Sequence, residues 1–272
     1  MFASTKRLGL SNIFLTFFLV FMAFQPVSAQ EKGTGAQKAP LKVAIREFLP
    51  PYVYEKAKSG IEVDLVQAIL SEAHIPYRFI QLPRIRMIQS FEDGKIDGLL
   101  TQNAEASSVG CVTVPYITHH NLAFTLADRH LKVGSLADLS HYAVISFSGA
   151  TRYLGPTFAA AIKDSPRYTE SGDQGTHIAL LYKRRFDVVV GDQWIIRLAQ
   201  RRYMEKTGVY HELTGHKIMP ASHYVARFHD QKYCDAFNQA YADLNAEGTL
   251  ADIWNSYKAR ILVDAAPPAK VH

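Results

Sequence analysis

Short valine- and isoleucine-rich runs alternate with amphipathic helical stretches along most of this chain, and that alternation is the strongest constraint on what it folds into. The runs "LKVAI", "YRFIQL", "IDGLLT", "YAVISF", "FDVVVGD" and "HYVARF" have the length and composition of strands. Between them, "EVDLVQAILSEA" places Val63, Val66, Ile69 and Leu70 at helical spacing. "RIRMIQSFEDG", "GATRYLGPTFAAAI", "THIALLYKRR" and "QWIIRLAQRRYMEKTG" read as further helices, and "DQKYCDAFNQAYADLNAEGTLADIWNSYKARIL" as two closing helices hinged at Gly248. Strands that each lead into a helix pack as parallel sheets covered on both faces, so the expected class is α/β. Ligands in that class meet the carboxyl ends of the strands. Asp192 ends "FDVVVGD" at such a point, and position alone leaves it two roles: cap of the helix starting at Gln193, or ligand contact.

The first 29 residues stand apart from this pattern. Lys6 and Arg7, then an apolar run, then small Ser28 and Ala29 have the form of a secretory signal, with cleavage expected near Ala29. The apolar run is shorter than the roughly 20 residues a stable span needs, so the mature chain is expected to be soluble; a monomer in the periplasm is the accompanying expectation. Residues 30–40 read as a flexible leader and 265–272 as a flexible tail. The net charge of +5 falls by two when Lys6 and Arg7 are removed, too small a surplus to argue for nucleic acid. Cys111 and Cys234 are the two cysteines of a chain bound for an oxidising compartment; a bridge is permitted, and two unrelated buried thiols are the alternative. The histidines, His119 and His120 included, show no ligand spacing, so neither metal nor cofactor is expected.

Taken in order, "VAIREFLPPYVYE", "SGIEVDLVQAIL", "LPRIRMIQSFEDGKIDGLL", "VPY", "ISFSGAT", "RRFDVVVGD", "YVARF" and "AFNQAYADLNAEGTLADIW" resemble family 3 of the extracytoplasmic solute-binding proteins. That family serves ABC importers for polar amino acids and similar solutes. The resemblance runs from about Leu41 to Ile261. It implies the type II periplasmic binding fold: two α/β lobes of mixed sheets covered by helices, closing on a ligand, with lobe one at 41–117 and 223–264 and lobe two at 118–222. Tyr116 to His120 and Ala221 to His223 would be the hinges. It implies that Asp192 receives a ligand ammonium, that Gly149, Ala150 and Thr151 offer amides and a hydroxyl to a carboxylate, and that Tyr52 walls the cleft. Thr101, at the end of "IDGLLT", joins that candidate set, and Asp64 in "SGIEVDL" is more often structural than ligating.

Three departures from the family pattern bear on the ligand. The arginine that clamps a ligand carboxylate falls at or next to Ala106, where "NAEASSV" holds none. Arg84 stands where the family carries a stacking aromatic, and Arg46 where some relatives carry an acidic contact. Arg86 is shared with a "PWxR" subgroup and is a further candidate. A guanidinium binds carboxylate bidentately, so Arg46, Arg84 or Arg86 takes over the clamp, unless these arginines pair instead with Glu47, Glu62 or Asp93. The expected ligand is a small polar solute, an amino acid or a related anionic or zwitterionic compound, and the expected partner an ABC importer permease in the inner membrane. An enzyme of the cyclohexadienyl dehydratase kind, with Glu47 or Glu170 as its acid, and a ligand sensor for a membrane receptor are the alternatives to this non-catalytic reading.

Overall fold

The computed structural model describes residues 39–105 and 109–263, with 1–3 at the N-terminus. Apart from Met1–Ala3 the signal segment lies outside those residues, as do the tail, Ala106, and all of the leader but residues 39 and 40. The first lobe opens with β1 (Leu41–Arg46), α1 (Ile61–Glu72), β2 (Tyr77–Leu82), α2 (Arg84–Glu92) and β3 (Gly98–Gln102), then β4 (Cys111–Val112) and β5 (Ile117–His119). Lobe two holds β6 (Asn121–Leu126), β7 (Ala143–Phe147), α3 (Ala150–Tyr153), α4 (Gly155–Ile162) and β8 (Arg167–Ser171). It continues with α5 (His177–Tyr182), β9 (Val188–Asp192), α6 (Gln193–Thr207) and β10 (Leu213–His216). The chain then returns through β11 (Ser222–Phe228) to α7 (Gln231–Glu247) and α8 (Thr249–Val263).

The first sheet runs β2-β1-β3-β11-β4, with β5 also on β11, and the second runs β10-β6-β9-β7-β8. Alternation alone predicts parallel pairing, and β1 is parallel to β2 and β3, as β7 is to β8 and β9. The sheets are nonetheless mixed, because β6, β10 and β11 run antiparallel to their neighbours. β8, "RYTES", and β10, "LTGH", are half-exposed edge strands with too few apolar residues to announce themselves. The stretch expected as one helix, "GATRYLGPTFAAAI", is two. Gly155 takes a left-handed φ of 87° between them, and Pro156, lacking an N–H, can only start a new turn.

Burial follows the two sheets. Val43, Ile45, Val66, Ile69 and Leu100 form one core with Phe237 and Leu244 of α7. Phe124, Ile145, Val189 and Ile196 anchor one face of the second sheet, and Val144, Phe158 and Val190 the other. Of the two readings open for the cysteines, the bridge holds: Cys111 and Cys234 join β4 to α7 with Cα atoms 6.3 Å apart. Gly60, with φ 133°, starts α1 where a Cβ would stand 2.2 Å from the Tyr52 carbonyl oxygen, so only glycine lets the Tyr52 loop lie against the helix. Tyr257 of α8 locks that start by accepting from the Gly60 N–H (2.9 Å) and donating to Asp64 (2.6 Å). Asp64 is thereby occupied structurally.

Candidate functional site

Strand ends from both lobes meet at a small cavity of about 80 Å³. Arg46 ends β1, Arg84 begins α2 just past β2, and Thr101 lies in β3; from lobe two come Ser148 after β7, Gly172 after β8 and Asp192 at the end of β9. His119, Asn121 and Tyr224, on the crossing strands, close it from behind. Convergence of charged and polar groups on one point distinguishes this cavity from larger grooves such as those of about 410 and 520 Å³, the second of which adjoins it.

Asp192 is buried at 2 % exposure, caps α6 and lines the cavity. Its Oδ1 accepts from the N–H groups of Trp194 (2.9 Å) and Ile195 (3.2 Å), which caps α6, and from the Tyr52 hydroxyl (2.9 Å). Its Oδ2 accepts from the His120 N–H at 3.0 Å. Burial pushes its pKa up to about 6, against the opposite pull of Tyr52 and the three backbone donors. Tyr52 is fully buried and stacks on His119 with ring centroids 4.1 Å apart. Its bond to Asp192 therefore ties lobe one to lobe two rather than offering a bare wall to the cavity.

The arginines are placed differently. Arg84 lies across the lobe boundary, its guanidinium 3.9 Å from the centroid of the Tyr153 ring on α3. Its Nε is buried with no hydrogen-bond partner. Arginine at the first position of a helix opposes the macrodipole, a local cost that its role at the cavity would offset. Among the described residues neither Arg46 nor Arg84 forms an ion pair. Burial lowers the Arg84 pKa and Arg46 adds to the lowering, so the two charges feel each other; burial, then Arg46 and Arg84, hold His119 neutral with a pKa of about 3. Glu62 stands behind Thr101, accepting from its hydroxyl at 2.5 Å and from the Tyr116 hydroxyl. Burial raises the Glu62 pKa although Thr101, Tyr116, Arg46 and Arg84 pull it down. Thr101 itself holds a φ of 55°, strained for a β-branched residue and of the sort that concentrates at functional sites.

Gly149, Ala150 and Thr151 do not line the cavity, and the donors of Gly149 and Thr151 are already used. Glu170 of β8 accepts from the Gly149 N–H (2.6 Å), the Thr151 N–H (2.9 Å), the Thr151 hydroxyl (2.9 Å) and the Tyr168 hydroxyl (2.9 Å). Burial pushes the Glu170 pKa up, but those four donors outweigh it and hold the carboxyl below its ordinary value. Arg86, two residues on in the same turn of α2, is exposed and lines none of the cavity, and Glu47 is likewise exposed. The cavity also holds groups that sequence reasoning passed over: His119 and Gln174, whose Nε2 and Oε1 are buried without partners, with Asn121, Tyr153 and Tyr224. His119, Asn121 and Tyr224 share a place in the crossing strands and Gln174 stands just past the end of β8, whereas Tyr153, at the end of α3, carries no such sign.

The sequence signature of the bacterial extracellular solute-binding proteins, family 3, spans residues 41–259. An amino acid ABC transporter substrate-binding protein from Streptococcus pneumoniae, solved bound to L-arginine, is 20 % identical over 82 % of this chain and 96 % of its own, with a TM-score of 0.61. A histidine kinase sensor domain similar to periplasmic binding proteins is 17 % identical over 80 % and 96 %, with a TM-score of 0.65. An ancestral amino acid-binding protein, described as a precursor of cyclohexadienyl dehydratase, is 16 % identical over 80 % and 94 %, with a TM-score of 0.62. At such identities the likeness establishes the two-lobed fold and no ligand. No curated protein resembles the chain closely enough to count as a sequence relative.

Proposed function

We propose that this chain, which belongs to the bacterial extracellular solute-binding proteins of family 3, captures a small anionic solute between its lobes and presents the closed form to a membrane partner. One observation carries the reading: among the described residues, Arg46 and Arg84 line the cavity with no carboxylate in ion-pair contact with either. A charged group in a closed cleft is costly unless something of opposite sign meets it, and guanidinium suits a carboxylate best. The loop that relatives offer to a ligand carboxylate is filled here by Glu170, which supports moving the clamp to the arginine wall. An ammonium on the solute would reach Asp192 by displacing the Tyr52 hydroxyl.

An ABC importer permease is the partner this reading favours, with the periplasm as the compartment. The dehydratase alternative needs a carboxyl that stays protonated beside the substrate. Glu170 is held in its ionised form by four donors and Glu47 is exposed, so neither candidate acid has support from its surroundings. The test is a thermal-shift screen of the mature chain against small mono- and dicarboxylates, standard amino acids and polyamines, with Arg84→Ala and Arg46→Ala alongside. Carboxylates are expected to raise Tm by mass action and to lose that effect in the variants. A response to polyamines alone, or a carboxylate shift kept in both variants, overturns the reading.

A further inference from the structure

The cleft cavity has a neighbour that shares its walls. Leu49, Gly172, Gln174 and Ile195 line both the cavity and the groove of about 520 Å³ beside it, so the two adjoin at those residues. Lobe one gives the groove Phe48, Leu49 and Pro50, and lobe two gives it Leu198, Ala199 and Tyr203. Phe48 keeps 53 % of its surface exposed at this rim. Lys183, Arg202 and Lys206 stand around it with Asp173 as the opposing charge, so the mouth carries a positive field.

We propose that this groove is the tail subsite for the same ligand: an organic anion whose carboxylate sits between Arg46 and Arg84 while an apolar body passes Gln174 and lies along the groove. The proposal rests on the cleft being the anion site. Size divides the ligand in this way. The cavity, at about 80 Å³, is far below the roughly 300 Å³ at which pockets for drug-sized ligands begin, whereas the groove falls within that range. The cavity thus takes a headgroup and the groove a body. Apolar walls come from both lobes, so a tail lying there adds contact across the closed interface. Gln174, whose buried Oε1 has no partner, stands at the junction where a polar atom next to the headgroup would pass.

The experiment is a titration of the mature chain with acetate, butyrate, hexanoate and octanoate, read by calorimetry or by the fluorescence of Trp194 and Trp254. Affinity is expected to climb along the series, each added pair of methylenes tightening Kd by roughly tenfold where they are fully buried. Thr176→Trp, which places an indole in the groove, should bring the octanoate-to-acetate ratio to within about threefold of unity. Phe48→Ser, at an exposed position without a folding cost, should lower that ratio in part. A series with Kd independent of chain length, or a ratio untouched by both variants, overturns the tail subsite. Short carboxylates that bind in a flat series sink the groove alone; failure of every length, acetate included, sinks the anion reading with it.

Discussion

The loop at Gly149–Thr151 and the wall made by Arg46 and Arg84 both offer donors to an anion, yet only the loop has an anion of its own. Glu170 satisfies the loop from 19 and 21 residues away, with two amides and a hydroxyl converging on its carboxylate. Across the cleft, two guanidiniums face the cavity, and their field is felt by His119, Arg84 and Glu62. Motif likeness marks the loop as the place for a ligand, and physical accounting marks the wall. Polar groups that a fold has already paired hold structure together, whereas buried charge left without a partner marks the place where a ligand completes the set.

Arg84→Ala puts that contrast at greatest risk. Truncating one partner of a buried charged contact is worth about 2 to 5 kcal/mol, so carboxylate affinity measured by calorimetry is expected to fall by at least thirtyfold. An unchanged affinity would return the clamp to lobe two. Next comes the pH dependence of Asp192, the group through which the lobes are joined. Its folded pKa of about 6 lies above the ordinary 3.8, so the folded state holds more protons between those values. Stability from this group is then largest below about pH 4, declines as pH rises to about 6, and is level above, a change of roughly 3 kcal/mol at most. Denaturant melts of the wild type and Asp192→Asn from pH 4 to 7 should show their difference falling across that window. A flat difference would mean that the four donors to Asp192 cancel its burial.

Glu170→Ala tests the other side of the comparison. Stripping the carboxylate from four donors should cost about 1 to 3 kcal/mol of stability in denaturant melts while leaving the affinity for a carboxylate within a few-fold of wild type. If instead the variant loses carboxylate binding, Glu170 belongs to the site and the contrast between the two regions collapses. The smallest effect is expected from Tyr52→Phe. Removing the single hydrogen bond between Tyr52 and Asp192 is worth about 1 kcal/mol, which shifts the ligand-free balance toward open forms by roughly fivefold. Small-angle scattering of the ligand-free chain would register the change as a larger radius of gyration, and an unchanged radius would show that Arg84 on Tyr153 holds the lobes together without it.

The parts of this architecture legible in the sequence were those set by local periodicity. β1, β2, β3, β7, β9 and β11 announce themselves as apolar runs, and α1, α6 and α7 by their spacing, because each buries a regular set of positions. β8 and β10 lie at sheet edges, where half of each strand meets water and the pattern fades. The same division runs through the site. Asp192, Arg46, Arg84 and Thr101 could be placed from their positions at or beside strand ends, and the structure brings all four to one cavity. That Glu170 answers the Gly149 loop depends on the β7–β8 register, which sets Ser146 beside Glu170, and no local pattern carries that information. His119 comes to the arginines through the β5–β11 pairing and Gln174 from the other lobe, so their part in the cavity exists at the level of tertiary structure alone.

The bridge between Cys111 and Cys234 spans 123 residues, and every strand from β5 through β11 lies between its two ends. Covalently, then, lobe two is the middle of a ring whose clasp is in lobe one. A protease that cuts once anywhere on that lobe opens the ring without releasing either piece: the nicked protein migrates as one chain until a reductant parts it into two. A cut in lobe two is in this way kept from releasing the part of lobe one that follows it.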